Sequence, residues 1–301
     1  VTWVLLSGLL IDALVGEPRF VWSRVPHPVV LVGKFIQLAD ERINKGVARK
    51  AKGIFFLCFL VASGGVLGRL IGELGAVVSA TFVAILLAQR SLVNHVNQVA
   101  ASLRVSLEEG RQAVGLIVGR DTRRMQESEV ASAAIETAAE NFSDGVMAPI
   151  FWFLIAGLPG LFVYKCVNTA DSMIGYKTAR HKDFGWAAAK FDDLLNWVPA
   201  RVSALMLATI GKVLHRARQI KRDAKLHRSP NAGWPEAAMA FSLNVAIAGP
   251  RSYEGEKQNF AWVNEGGNVA TACDIERSTR MLWSCWALAF ASVCIISIFS
   301  Q

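Results

Sequence analysis

Three short stretches set groups capable of chemistry at helical spacing within otherwise apolar sequence: ETAAENFSD (136–144), NTADSMIGYK (168–177) and DDLLNWVPAR (192–201). In the first, Glu136, Glu140 and Asp144 stand at i, i+4 and i+8, so a helix ranges three carboxylates roughly along one face. Like charges so placed repel unless a cation lies among them. Magnesium suits, because it takes one or two carboxylates, keeps water and bridges phosphate oxygens; the same spacing equally describes a solvated acidic face. In the second, Asn168, Asp171, Ser172 and Gly175 make a polar stripe with a bare backbone patch. Lys165 lies one turn before it and Lys177 and Arg180 beyond, so phosphate oxygens could be held from both ends. Hydrogen-bonding glue between membrane helices is the structural alternative. In the third, Asp192 and Asp193 precede Asn196, and Arg201 follows Pro199. That arrangement suits a metal-diphosphate clamp or, structurally, acids in the first turn of a helix.

The elements that must carry these groups are apolar helices. The chain has 301 residues, 53% hydrophobic and 19% charged, with a positive mean hydropathy, a balance unlike that of an ordinary soluble domain. An ionisable group at bilayer depth costs ~3 kcal/mol on insertion scales, so such groups line cavities, pair or carry function. The spanning candidates are Gly53–Ile71, Ala76–Ala88, Val146–Val167, Trp197–Leu214 and Met281–Phe299, against the ~20 apolar residues that a span needs. Gly157, Leu158, Pro159 and Gly160 interrupt the third, which predicts a broken or re-entrant helix lining a cavity. Val1–Val15 lacks a basic start and a cleavage site, and Asp12 interrupts it, so it is expected to remain in the mature protein.

The net charge of +8 suits nucleic acid, anionic lipid or a phosphorylated substrate. The bases gather beside apolar segments (Arg42–Lys52 and Lys212–Arg228), which favours lipid-flanking charge over nucleic acid and places both clusters on the cytoplasmic side. Between Arg90 and Asp144 apolar residues recur at helical spacing among charges, which predicts cytoplasmic amphipathic helices over 91–145. The five cysteines show no metal-type spacing and read as small buried hydrophobes. His27 reads as structural, HRSPNAGWPE (227–236) as a loop capping the next helix through Ser229 or Asn231, and Arg120–Asp121 as a surface pair. No repeat or linker divides the chain and no strand is evident. The expectation is a single all-α, polytopic membrane domain, residues 1–301, with broken or re-entrant helices around a polar cytoplasmic-facing site. From these residues alone an ATP-dependent ligase, an intramembrane prenyltransferase holding magnesium diphosphate on NTAD and DD, and a transporter coupled through Asp12, Asp171 or Glu236 all remain open.

The motifs DALVGEP and HPV (12–29), VGRDT (118–122), ETAAENFSDGVMAPIFW (136–152), YKCVNTADSMIGYKTAR (164–180), FGWAAAKFDDLLNWVPAR (184–201) and SPNAGWPEAAMA (229–240) make the chain resemble the adenosylcobinamide-phosphate synthases of cobalamin biosynthesis along nearly its whole length. The resemblance implies a multi-pass enzyme of the bacterial or archaeal cytoplasmic membrane. Such an enzyme joins adenosylcobyric acid, a corrinoid, to aminopropanol phosphate or a related amino alcohol with ATP and Mg2+, in the company of other cobalamin-pathway enzymes at the membrane. It further implies metal on Glu140, Asp144, Asp171, Asp192 and Asp193, and chemistry at Glu136, Glu140, Asp144, Lys165, Asp171 and Asp193, with Glu136 taking the amine proton. Substrate or ATP contacts would fall to Arg120, Asn141, Ser143, Asn168, Ser172, Tyr176, Lys177, Arg180, Asn196, Arg201, Ser229, Asn231 and Glu236.

Overall fold

The computed structural model describes residues 2–253, 256–258 and 260–299, the side chains of residues 19, 251–253 and 256–258 excepted. Its helices are α1 (Thr2–Val15), α2 (Arg19–Trp22), α3 (Pro28–Ile43), α4 (Arg49–Glu73), α5 (Ala76–Leu86), α6 (Gln89–Val105), α7 (Leu107–Gly115), α8 (Glu127–Phe142), α9 (Ala148–Ile174), α10 (Trp186–Leu195), α11 (Trp197–Ile210), α12 (Ala217–Ala224), α13 (Gly233–Leu243) and α14 (Ala272–Phe299). Among the described residues five short strands lie between α13 and α14: β1 (Val245–Ala248), β2 (Arg251–Tyr253), β3 (Glu256–Gln258), β4 (Trp262–Val263) and β5 (Asn268–Val269). The mostly helical reading holds, and the strands correct the expectation that there would be none. Among the described residues four helical stretches are long and apolar enough to cross a membrane: Arg49–Glu73, Ala76–Val105, Glu127–Ile174 and Ala272–Phe299. Trp197–Ile210 is apolar but shorter than the span expected there, because the helix gives way to Gly211 and to Lys212 at φ 57°.

The chain forms two compact units. The first comprises residues 1–88, 148–196 and 296–301. In it α4 lies on α9 through small residues: a side chain on Gly68 would meet Pro159 at 2.7 Å, and one on Gly64 would meet Cys166 at 3.2 Å. Ile36, Phe56, Leu60, Tyr164, Val167 and Phe184 fill the core, while Phe55 and Phe59 on the opposite side of α4 are exposed, as on a helix with a lipid-facing side. The expected break in α9 is present, with Ala156 and Gly157 (φ 62°) leaving helical geometry just before Pro159. A side chain on Gly160 would lie 2.5 Å from the carbonyl oxygen of Trp152, eight residues back, whereas a straight helix would separate them by about 12 Å. The chain therefore doubles back sharply at this point.

The second unit comprises residues 89–147 and 197–295. From Val130 to Ala139 every residue of α8 is buried, because the run VASAAIETAA is, apart from Glu136, small or apolar on all sides. Where an amphipathic surface helix was expected, α8 is a core helix; α6 and α7 keep distinct buried and exposed sides. A π-helical turn, Ser143–Met147, follows α8. β1 pairs antiparallel with β4 (Ile247 opposite Val263) and parallel with β5 (Val245 opposite Asn268), and β2 and β3 form a hairpin.

Candidate functional site

In the first unit the second half of α9 and the length of α10 bring the NTAD and DDLLN motifs face to face. Asp192 is the hub. Its Oδ1 accepts from Asn168 Nδ2 at 3.2 Å and its Oδ2 from Asn196 Nδ2 at 2.9 Å, and Tyr164 donates its hydroxyl to Asn196 Oδ1 at 3.0 Å. Tyr164, Asp192 and Asn196 are buried. Burial pushes the Asp192 carboxyl up to about 6; the two asparagine amides oppose this and neighbouring Asp193 adds to it. Asp193, half-buried, lies 3.7 Å from Lys190. The Asp171 carboxylate sits over Gly175, where any side chain would collide with it. Ser172 is exposed and returns its hydroxyl to the carbonyl of Asn168. Lys165, half-buried on the same helix, is near enough to His27 to help hold that ring neutral, after burial, the larger cause. His27 is structural as expected: Nδ1 accepts from the Val29 amide at the start of α3, and Nε2 lies 3.2 Å from the carbonyl of Ile85.

Beyond Ile174 the chain turns through a loop carrying exposed Tyr176 and Lys177. Arg180 is turned towards Asp40 on α3, with Nε at 2.8 Å and Nη2 at 2.7 Å from Oδ2. Asn44 donates to Asp40 Oδ1 and to the Arg180 carbonyl, and Arg49 donates to the Asn44 side chain and the Ala179 and Arg180 carbonyls. Burial works against ionisation of Asp40, but the bonds from Asn44, Arg180 and His181 outweigh it and hold the carboxyl below its usual range. Much of the Arg180 guanidinium thus pins the loop.

In the second unit Glu136 is buried while Glu140 and Asn141 are exposed and Asp144 sits in the π-helical turn, so the three carboxylates expected along one face have different surroundings. Glu136 Oε1 accepts from Ser132 Oγ at 2.8 Å and from the Ala248 amide at 3.0 Å, and Oε2 lies 3.6 Å from Arg120. Both of these ionic side chains are 8% exposed. Arg120 and Asp121 do not pair; Asp121 takes Arg123 at 2.8 Å. Ser143 is buried, its hydroxyl without a hydrogen-bond partner among the described residues. Arg201 lies between Trp197 and Trp234, 4.6 and 4.9 Å from the ring centres, and donates to Asn231 Oδ1 at 2.7 Å and to the carbonyls of Trp197 and Pro230. Ser229 Oγ accepts from the amides of Asn231 and Ala232 within the loop, whereas the expected side-chain cap on α13 is not formed, its N-cap being Ala232, and buried Glu236 lies 3.7 Å from His227.

The five expected metal ligands divide between the units, Asp171, Asp192 and Asp193 in the first and Glu140 and Asp144 in the second. Among the described residues no three acids, histidines or cysteines form a group that could hold a metal. A closed all-protein cage therefore does not fit these residues. The buried, adjacent Asp192 and half-buried Asp193 do fit a magnesium ion whose other ligands are water and phosphate oxygens. Tyr164, Asp40 and Ser132 were not singled out from sequence; the only local signals were Tyr164–Asn168, Asp40–Asn44 and Ser132–Glu136, each at i, i+4.

Comparison with known proteins adds a full-length context. Residues 5–282 match the family model described as CobD/Cbib protein. The cobalamin biosynthesis protein CobD of Rhizobium meliloti (strain 1021) is 46% identical, the match covering 96% of this chain and 94% of that protein. Proteins of the same description from Rhodobacter capsulatus and Halalkalibacterium halodurans are 41% and 39% identical, each match covering 92% of this chain and 91% of the relative. No solved structure matches.

Proposed function

We propose that this chain, which belongs to the CobD/CbiB family and so to cobalamin biosynthesis, is an ATP- and magnesium-dependent ligase that joins the free propionate of adenosylcobyric acid to an amino-alcohol phosphate through an amide bond. The observation that carries the reading is the buried Asp192, held by Asn168 and Asn196 next to Asp193 and on a helix facing the one that bears Asp171: an acidic, oxygen-rich site in an apolar setting. A carboxylate does not condense with an amine at neutral pH, since it is a poor electrophile with a poor leaving group. Transfer of the terminal phosphoryl group of ATP to the propionate oxygen releases ADP and leaves an acyl phosphate. The amine then attacks the carbonyl carbon, the amide forms, and inorganic phosphate and a proton depart. Magnesium, when bound, offsets the charge on the phosphate oxygens during that transfer; Asp192 and Asp193 would hold it, with Asp171 a third candidate. Asn168 and Asn196 fix the direction of the Asp192 oxygens, and Lys177, exposed on the loop that Asp40 holds through Arg180, would supply positive charge to phosphate. Glu136 remains a candidate for the amine proton, although it also holds the Ala248 amide.

We further read the four long apolar stretches as spans of the cytoplasmic membrane, the doubled-back α9 as a re-entrant helix, the chain as one catalytic domain, and the site as facing the cytoplasm, where ATP is found. The test is a mass-spectrometric assay of the detergent-purified protein with adenosylcobyric acid, aminopropanol phosphate, ATP and magnesium, beside Asp193→Asn and Asp171→Asn. Amide product that requires ATP and is lost in well-folded variants supports the ligase; a stable, corrinoid-binding protein that makes no product overturns it for the isolated chain.

A further inference from the structure

The second unit carries a basic face that none of the chemistry above uses. From Lys212 to Arg228 the chain has seven lysines and arginines and a single acid, Asp223. Helix α12 sorts them. Ile220, Asp223 and Ala224 are buried, whereas Arg218, Lys221, Arg222 and Lys225, at i, i+3, i+4 and i+7, run along the opposite side and are exposed. The helix is fixed in that orientation. Buried Asp223 accepts from the Asn264 amide at 2.9 Å and from Arg222 Nε at 2.8 Å, and a side chain on Gly233, at the start of α13, would lie 2.5 Å from the carbonyl oxygen of Ala224. The one acid of the segment is therefore spent inside, and among the described residues Arg218, Lys221 and Lys225 form no ion pair. Of the four exposed bases only Arg222 borders the cleft that also holds Glu265.

The apolar groups around this face indicate what it meets. Val198, Val202 and Leu205, at i, i+4 and i+7 of α11, are exposed, and α11 is the apolar helix that the chain leaves at Gly211 and Lys212. Leu214 and Leu226, before and after α12, are exposed as well. In chain order an apolar stripe is followed by a basic stripe flanked by leucines, the order of hydrocarbon and headgroup in a bilayer. An acidic protein would account for the charge but not for the leucines. A bilayer surface takes both, with the bases at the phosphates and the leucines just below them. We propose that the exposed side of α12 docks on anionic phospholipid headgroups and holds the second unit against the membrane. The inference goes beyond the ligase reading and rests on the reading of the chain as a membrane protein. Each base near an anionic leaflet contributes about fivefold in affinity.

The experiment is hydrogen–deuterium exchange of the full-length protein in nanodiscs of phosphatidylcholine, with and without phosphatidylglycerol. Amides of residues 214–226 are expected to exchange about fivefold more slowly when the anionic lipid is present. The difference should vanish at about 0.5 M salt, where the screening length is roughly 4 Å. Arg218→Gln, Lys221→Gln and Lys225→Gln combined should abolish the difference while exchange in phosphatidylcholine alone stays at the wild-type rate, the sign that α12 is still folded; Arg222, which Asp223 holds, is left in place. Arg42→Gln with Lys45→Gln, in the basic cluster of the first unit, should leave the difference intact, which separates a local contact from net charge. Equal exchange in the two lipids, or protection that survives in the triple variant, overturns the proposal. So does protection by added polyglutamate with none from phosphatidylglycerol, which would give the face to an acidic protein. A chain that stays in solution without a bilayer removes the membrane reading, and is then mixed with vesicles: flotation with phosphatidylglycerol but not with phosphatidylcholine supports the docking face, and any other result overturns it. No turnover is involved, so the ligase reading stands or falls separately.

Discussion

Asp192 makes the sharpest physical test, because its burial and its partners act on stability as well as on any bound cation. Its carboxyl is raised from 3.8 to about 6 in the folded protein, and at ~1.4 kcal/mol per pH unit ionising it in place costs roughly 3 kcal/mol. Since the folded value lies above the unfolded one, the group favours the folded state while protonated. That contribution is full below pH 3.8 and is lost as pH rises through about 6. With a chelator present, the detergent-solubilised wild type should therefore lose up to roughly 3 kcal/mol from this group between pH 4 and 7. Asp192→Asn should lack that component, although its new amide must face one of the two donors that now serve the carboxylate, a mismatch of about 1–3 kcal/mol that does not vary with pH. Magnesium should raise the melting temperature of the wild type above pH 6, where the carboxylate is ionised, and its apparent affinity should fall about tenfold per pH unit below that point. Thermal unfolding at pH 5, 6, 7 and 8 with magnesium or chelator, wild type beside Asp192→Asn, reads all of this. Identical pH dependence in the two proteins without magnesium would refute the reasoning about Asp192. A magnesium response that survives in the variant would move the cation elsewhere.

Three other predictions follow from contacts. Glu136→Ala leaves Arg120 buried without its carboxylate and removes one of the two acceptors of the Ala248 amide, the other being Ser132 Oγ, so it should lose about 3–5 kcal/mol by thermal unfolding. Glu136→Gln keeps the acceptor and should lose less; if that variant is folded and fully active, Glu136 is not the proton acceptor. Gly68→Leu should destabilise by about 1–3 kcal/mol, since Pro159 stands 2.7 Å from its first side-chain atom, while Gly72→Leu, with nothing within 4 Å, should melt like the wild type. Asp40→Ala frees the Arg180 guanidinium and should make opening of residues 176–183 easier by about 1–3 kcal/mol, seen as faster amide exchange there with the core of α9 unchanged.

What could be read from the chain in advance was whatever neighbours in sequence decide. The Gly-Leu-Pro-Gly run foretold the break in α9, because a positive φ at Gly157 and a proline two residues on cannot continue a helix. The turn at Ser229 was legible for the same reason, although its hydroxyl serves the loop amides of Asn231 and Ala232 and not the helix that follows. The strands were not, since segments of two to four residues, Val245–Ala248 the longest, are too short to show alternation. Nor was the central place of α8: an alanine-rich run carrying Glu129, Glu136 and Glu140 reads as one-sided until the elements around it are known.

The candidate site divides along the same line, and this bears on what the acids do. Spacing placed Asp192 and Asn196, four residues apart, on one polar helix face, and the structure bonds them. Spacing could not show that Asp40 meets Arg180 across 140 residues, or that Glu136 meets the Ala248 amide across 112. Those distant partners separate residues that look alike in the sequence. Glu136 and Asp192 are both buried acids within polar motifs, but an arginine stands beside Glu136, whereas the side chains bonded to Asp192 are neutral amides. A carboxylate with a guanidinium at its side has positive charge close by. One held only by amides has its direction fixed without its charge being offset, and for that reason Asp192, rather than Glu136, is the acid on which an incoming cation should have the larger effect.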